Sequence, residues 1–146
     1  MSTSKTSVYR ITRKGWNDCF DLHVSPTRKA MHAHIKKYYT DHKLGEPPVL
    51  SGEDGNTNGM VQPIHVDGDG VFAIMFLNEE WLGAGTVSHE CLHVAMTHER
   101  KVLMFGMSYS GEINDDEERL AYYLTDCVKS VYDALYDTKH IKAGTR

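Results

Sequence analysis

The chain has 146 residues, 40% hydrophobic and 25% charged, the composition of one globular domain able to bury its own core. A formal net charge of -4 disfavours a strongly basic nucleic-acid binder, and no apolar run reaches the roughly 20 residues of a membrane helix. The opening residues lack the apolar core of a secretory signal, and three widely spaced cysteines, Cys19, Cys91 and Cys127, with no CxxC pair, read as reduced thiols of a cytoplasmic protein.

Charge is unevenly spread. Residues 1–46 hold nine Lys/Arg against four Asp/Glu, and the remainder holds seven against sixteen. Solvated lysines on a helix account for the basic half without a nucleic-acid partner. Val8–Thr12 and Phe20–Val24 alternate in polarity and are rich in β-formers, and Lys14-Gly15 between them suits a turn, so the two segments predict a hairpin. Ser25-Pro26 then predicts a helix start, with Ser25 as N-cap and Pro26 at the first position. The helix runs through Ala30, Met31, Ile35 and Tyr38-Tyr39, with Lys36-Lys37 near its end. On that helix His32 and His34 are two apart, face different ways and read as surface groups.

Asp41 to Gly59 is rich in Gly, Pro, Asn and Asp and reads as a long surface loop able to frame a cleft. Met60–Val66 and Val71–Leu77 flank Asp67-Gly-Asp-Gly70 and predict a second hairpin. That tetrapeptide is not a calcium loop, because Phe72 stands where the loop needs Gly and Asn78 where it needs Glu. His23 and His65 fall in strand patterns, to pack or to approach a cleft, and Trp16 and Trp81 read as core or cleft wall. A helix is expected from about Thr86 to Arg100, capped by Thr86 or Ser88, and Gly106 and Gly111 mark a further loop. A last long helix opens on Asn114-Asp-Asp-Glu-Glu118, where negative charge favours the helix dipole, and carries Leu120, Leu124, Cys127, Val131 and Leu135 at helical spacing.

Within the second helix stands His89-Glu90-Cys91-Leu92-His93, an H-E-x-x-H sequence. Two His four apart share a helix face one turn from each other, so their imidazoles can converge on one ion. Zinc accepts such nitrogens in a tetrahedral site and usually keeps three protein ligands and one open position. Glu90 follows the first ligand and can take a proton from a metal-activated water. The third ligand must come from elsewhere. Glu118, 25 residues beyond His93 and at the start of the last helix, is the choice, with Glu117 and Asp115 competing for the role.

H-E-x-x-H followed by Glu118-Arg119-Leu120-Ala121, an E-x-x-A on a later helix, resembles the gluzincin branch of the zincin metallopeptidases, and in particular small cytoplasmic, bacterial and phage-encoded peptidases with an E-E-x-x-A-Y second motif. The likeness covers residues 71 to about 128. It implies a single α+β zincin-like domain over 1–146, with a short mixed or antiparallel twisted sheet packed on an active-site helix and a C-terminal ligand helix. It implies a zinc peptidase acting on a peptide or protein, with His89, His93 and Glu118 as ligands to Zn2+ and Glu90 as general base. It also implies that Val71–Leu77 receives extended substrate by strand addition. Larger gluzincins place an Asp one turn after the ligand Glu; here that position is Tyr122, so support for a ligand His falls to Tyr122, Asp126 or a carbonyl. The metzincin pattern fails, because Met96 replaces its Gly, Glu99 replaces its last His, and His98 comes one residue early.

For the oxyanion donor the sequence offers Tyr109, between the two helices, with Tyr122, Tyr123 and His140 as alternatives. Tyr132 and Tyr136 read as packing. The rival to an enzyme is a non-catalytic zincin scaffold that holds a peptide or protein partner; an intact Glu90 argues against it, since a structural site needs no base.

Overall fold

The computed structural model describes residues 5–12, 18–50, 57–64, 69–104 and 113–141, with the side chains of 100–104 and 113–117 left aside. Four strands and three α-helices make up the described chain: β1 (Ser7–Ile11), β2 (Cys19–Ser25), α1 (Arg28–Asp41), β3 (Met60–Pro63), β4 (Val71–Asn78), α2 (Ala84–Met104) and α3 (Ile113–Asp137). A short 3-10 turn, Glu79–Trp81, links β4 to α2. The class is α+β with one mixed sheet, as the sequence implies. No helix among the described residues is long and apolar enough to cross a membrane.

The sheet order is β1-β2-β4-β3. β1 and β2 pair antiparallel, Ser7 opposite Val24 and Ile11 opposite Phe20, as expected of the first hairpin. β2 and β4 run parallel, with a register shift between Cys19 and Asp21. A parallel pair needs a crossover, and α1 lies within it. β3 pairs antiparallel with β4, Met60 opposite Phe76 and Pro63 opposite Ala73, so the second hairpin also forms. Lys14, Gly15 and Trp16 of the first turn, and His65, Asp67 and Gly68 of the second, lie outside the described residues, whereas Asp69 and Gly70 are described.

One expectation is overturned. Val71–Leu77 is not an edge that can receive another strand, because β4 sits between β2 and β3 and all eight of its residues are buried. An interior strand has both backbone edges paired, and helices cover both its faces. Its continuous apolar run is the mark of such burial, whereas a half-solvated strand alternates. Among the described strands the open edges are β1 and β3.

Helices cover both faces. α1 packs Met31, Ile35 and Tyr39 on Ile74 and Phe76, closed by Leu50 from the long loop. On the other face, Leu22, Val24, Ala73, Met75 and Leu77 meet Val87, Cys91, Val94 and Ala95 of α2 and Cys127, Val131 and Leu135 of α3. The strand period of two thus divides β4 between two cores.

The helix starts differ from expectation. Thr27, not Ser25, caps α1, its side chain accepting from the Ala30 N–H at 3.0 Å. Ser25 ends β2 instead and bonds its hydroxyl to that of Thr6 at 2.8 Å. α2 begins at Ala84, and Gly83 C=O accepts from Val87 N–H at 3.1 Å, which leaves Thr86 and Ser88 inside the helix rather than at its cap.

Candidate metal centre

α2 buries Val87, Cys91, Val94 and Ala95. The opposite face, carrying His89, Leu92, His93 and Met96, is exposed. Helical geometry alone dictates that split, since these positions follow the i, i+3, i+4, i+7 row. The two imidazoles of the H-E-x-x-H sequence meet across one turn, Nε2 facing Nε2 at 3.2 Å, with ring centroids 4.9 Å apart at 75°.

This separation suits a shared ion. Two nitrogens each about 2.0–2.1 Å from a tetrahedral zinc stand roughly 3.4 Å apart. A second imidazole pair, His23 Nδ1 and His34 Nε2, is tighter at 2.8 Å, too short for such a bite, whereas the 3.2 Å of His89 and His93 lies within reach of either a hydrogen bond or a shared ion.

Glu90 lies beside the pair on the margin of the buried face. Its Oε1 is 4.0 Å from His89 Nε2, and its side chain is 7% exposed against 67% for His89. Burial raises the carboxyl pKa above its ordinary value, and neighbouring His89 acts in the opposite sense. The cover over Glu90 comes from the end of the long loop. A Cβ built on Gly59 would stand 2.9 Å from Glu90 Cγ and 3.3 Å from Cδ and Oε1. Nothing in the sequence pattern singles out Gly59, which reads as one more glycine of a polar loop.

The structure does not bring Glu118 into a ligand set. Among the described residues no three His, Cys, Asp or Glu side chains form a group that could hold a metal ion, and Glu118 is exposed on α3. The side chains of the competing Glu117 and Asp115 lie outside the described residues. The residue after Glu118 is firmly held: Arg119 donates through Nε and Nη2 to both carboxylate oxygens of buried Glu99 on α2, at 3.1 and 2.8 Å. Sequence reasoning treated Glu99 only as a departure from another motif and missed this clamp.

The oxyanion candidates separate. Tyr109 lies outside the described residues. Tyr122 is 70% exposed, one turn beyond Glu118 on α3. Tyr123 is buried in the core, its ring stacked on His98 at 4.0 Å, and burial pushes its pKa up. His140 is engaged on both nitrogens, Nε2 with Tyr9 OH and Nδ1 with Glu79 Oε1, each at 2.6 Å. Core burial removes Tyr123 from the set of donors, and these two partners occupy His140.

The α1 histidines also depart from expectation. His32 is buried and its Nε2–H donates to Thr57 C=O at 2.8 Å; the carbonyl can only accept, which fixes the tautomer. His34 pairs with buried His23. Neither is the surface group that a spacing of two suggests, because α1 is covered on one side by the sheet and on another by the returning loop. Trp81 is exposed, with the Arg28 guanidinium 5.6 Å above its ring.

Compared with known proteins, the chain matches no family model, no curated protein and no solved structure.

Proposed function

We propose that this chain is a zinc-dependent peptidase whose metal is held by His89 and His93, with Glu90 as general base. The observation that carries the reading is the 3.2 Å approach of the two Nε2 atoms with a buried carboxylate oxygen 4.0 Å from one of them. Zinc, when bound, supplies a Lewis acid for the scissile carbonyl and activates water near neutral pH. Both imidazoles must present an unprotonated Nε2, so each keeps its proton on Nδ1. Glu90 Oε1 takes a proton from the attacking water as the new C–O bond forms. It returns that proton to the leaving nitrogen as the C–N bond breaks. A carboxylate whose proton affinity is raised by burial suits both halves of that transfer. Glu118 is the third ligand that the resemblance implies, on a helix whose start is tied to α2 through Arg119 and Glu99.

The substrate is a peptide or protein, and the compartment is the cytoplasm, in keeping with three free, buried cysteines. The test combines metal content with turnover. Zinc should copurify near one equivalent and be lost in His93→Ala, and Glu118→Ala should weaken it if Glu118 completes the set. Glu90→Gln should retain the metal and lose hydrolysis of a peptide library by about a thousandfold or more. Because burial opposes the ionised form of Glu90, the Gln variant should melt higher than the parent at pH 7, the gap closing as acid protonates the carboxylate. A stable protein that binds zinc yet cleaves nothing in the library would favour the non-catalytic scaffold instead.

A further inference from the structure

The long loop does not simply return to the sheet. Its last described turn, Thr57–Gly59, is fastened at three points before β3 begins. His32 Nε2–H donates to Thr57 C=O at 2.8 Å. Asn78, buried at the end of β4, donates through Nδ2 to Asn58 C=O at 2.9 Å. Arg28 Nη1 donates to Asn58 Oδ1 at 3.2 Å. Thr57 N–H also donates back to Leu50 C=O at 3.1 Å, closing the loop at its base. Two of these fasteners, His32 and Asn78, are buried polar side chains on separate elements, and both spend a donor on this one backbone turn. Satisfying backbone carbonyls from buried side chains holds a segment in one place. The segment so held comes down on Glu90.

We propose that Thr57–Gly59 is a strap that positions Glu90, aiming its carboxylate along the edge of the His89–His93 pair, and that it can do so only because residue 59 has no side chain. This rests on the assignment of Glu90 as base. Gly59 shows no positive φ, so glycine is not required there by the backbone; close approach requires it. Gly83 and Gly85 have nothing within 4 Å of the position a Cβ would take, so they carry no such constraint. Gly59, His32 and Asn78 are therefore positioning residues, acting through Glu90 rather than on substrate.

Two measurements test this. In the first, Gly59→Ala should lower kcat on a cleaved peptide by about a hundredfold with KM little changed, since a displaced reacting group costs rate rather than binding. Its zinc affinity, measured by competition with a chromophoric chelator, should match the parent, and Gly85→Ala should leave kcat unaltered. The second needs no turnover. Glu90→Ala removes Cγ, Cδ and Oε1, the atoms that the methyl group introduced by Gly59→Ala would strike. The Gly59→Ala and Glu90→Ala changes should then be non-additive in melting temperature, the double variant more stable than the two single effects predict. A parental kcat in Gly59→Ala, or strict additivity in the cycle, would overturn the strap. Absence of hydrolysis in the unaltered protein would instead overturn the peptidase reading and the catalytic part of this proposal, while the cycle still reports whether the strap grips Glu90.

Discussion

Single residues in this protein owe their chemistry to which side of an element they fall on. His89 and His93 face water, while Glu90, one residue from His89, is turned into the seam beneath Gly59. His23 shows the same effect away from the site. It lies under α1 against the rings of His34, Tyr38 and Phe76, and its pKa is lowered to about 4, first by burial, then by His34 and more weakly by His42, with Asp21 opposing. His34 is lowered too, by burial and by Lys37. A histidine whose folded pKa lies below its unfolded value of 6.5 takes up a proton on unfolding, so it favours the fold above that value. Stability should therefore fall as pH drops from about 6.5 towards 4, by on the order of 3 kcal/mol, and level off below. Urea unfolding across that range measures it. A His23→Phe variant should flatten most of the slope; an unchanged slope would assign the acid sensitivity elsewhere.

At the level of elements, the contact between α2 and α3 decides how the start of the last helix stands beside the site. Cys91, Val94 and Ala95 share one apolar core with Cys127 and Val131, but apolar surfaces tolerate sliding. The Arg119–Glu99 pair does not, because a two-point fork fixes both distance and angle. Glu99 is 5% exposed at its side chain and Arg119 39%. Arg119→Met should cost about 2 kcal/mol, below the range for a wholly buried pair because one partner is open to water. The denaturation midpoint of Arg119→Met against that of the Glu99→Gln/Arg119→Met double variant checks this: the double variant should recover part of the loss, since no buried charge is left alone. The fork was hidden in the sequence, where Glu99 and Arg119 are two more charges among many.

Across the whole molecule the two cores on either face of the sheet leave the three thiols inside. Cys19, Cys91 and Cys127 are free and buried, and burial raises the pKa of each, to about 12 for Cys91. A thiol kept both protonated and covered is a poor nucleophile. Dithionitrobenzoate should then modify all three together, at the rate of global unfolding, and a reductant should leave the melting temperature unchanged. Cys91 or Cys127 reacting within seconds in the native protein would contradict the packing of α2 and α3 described above.

What the sequence determined by itself is local. Alternation in 8–12 and 20–24, a helical period from Pro26 to Tyr39 and from Asn114 to Leu135, and a polar stretch between them suffice to place most elements, because side-chain direction repeats every two or 3.6 residues whatever the rest of the chain does. The His89–His93 pair belongs to the same class, since a spacing of four on a helix brings two rings together without help from elsewhere. Tertiary structure alone decided that β4 lies inside the sheet, that His32 is buried and His34 paired with His23, and that Gly59 presses on Glu90. Each of these depends on which distant segments meet, and burial and close approach are set by that meeting rather than by any period along the chain.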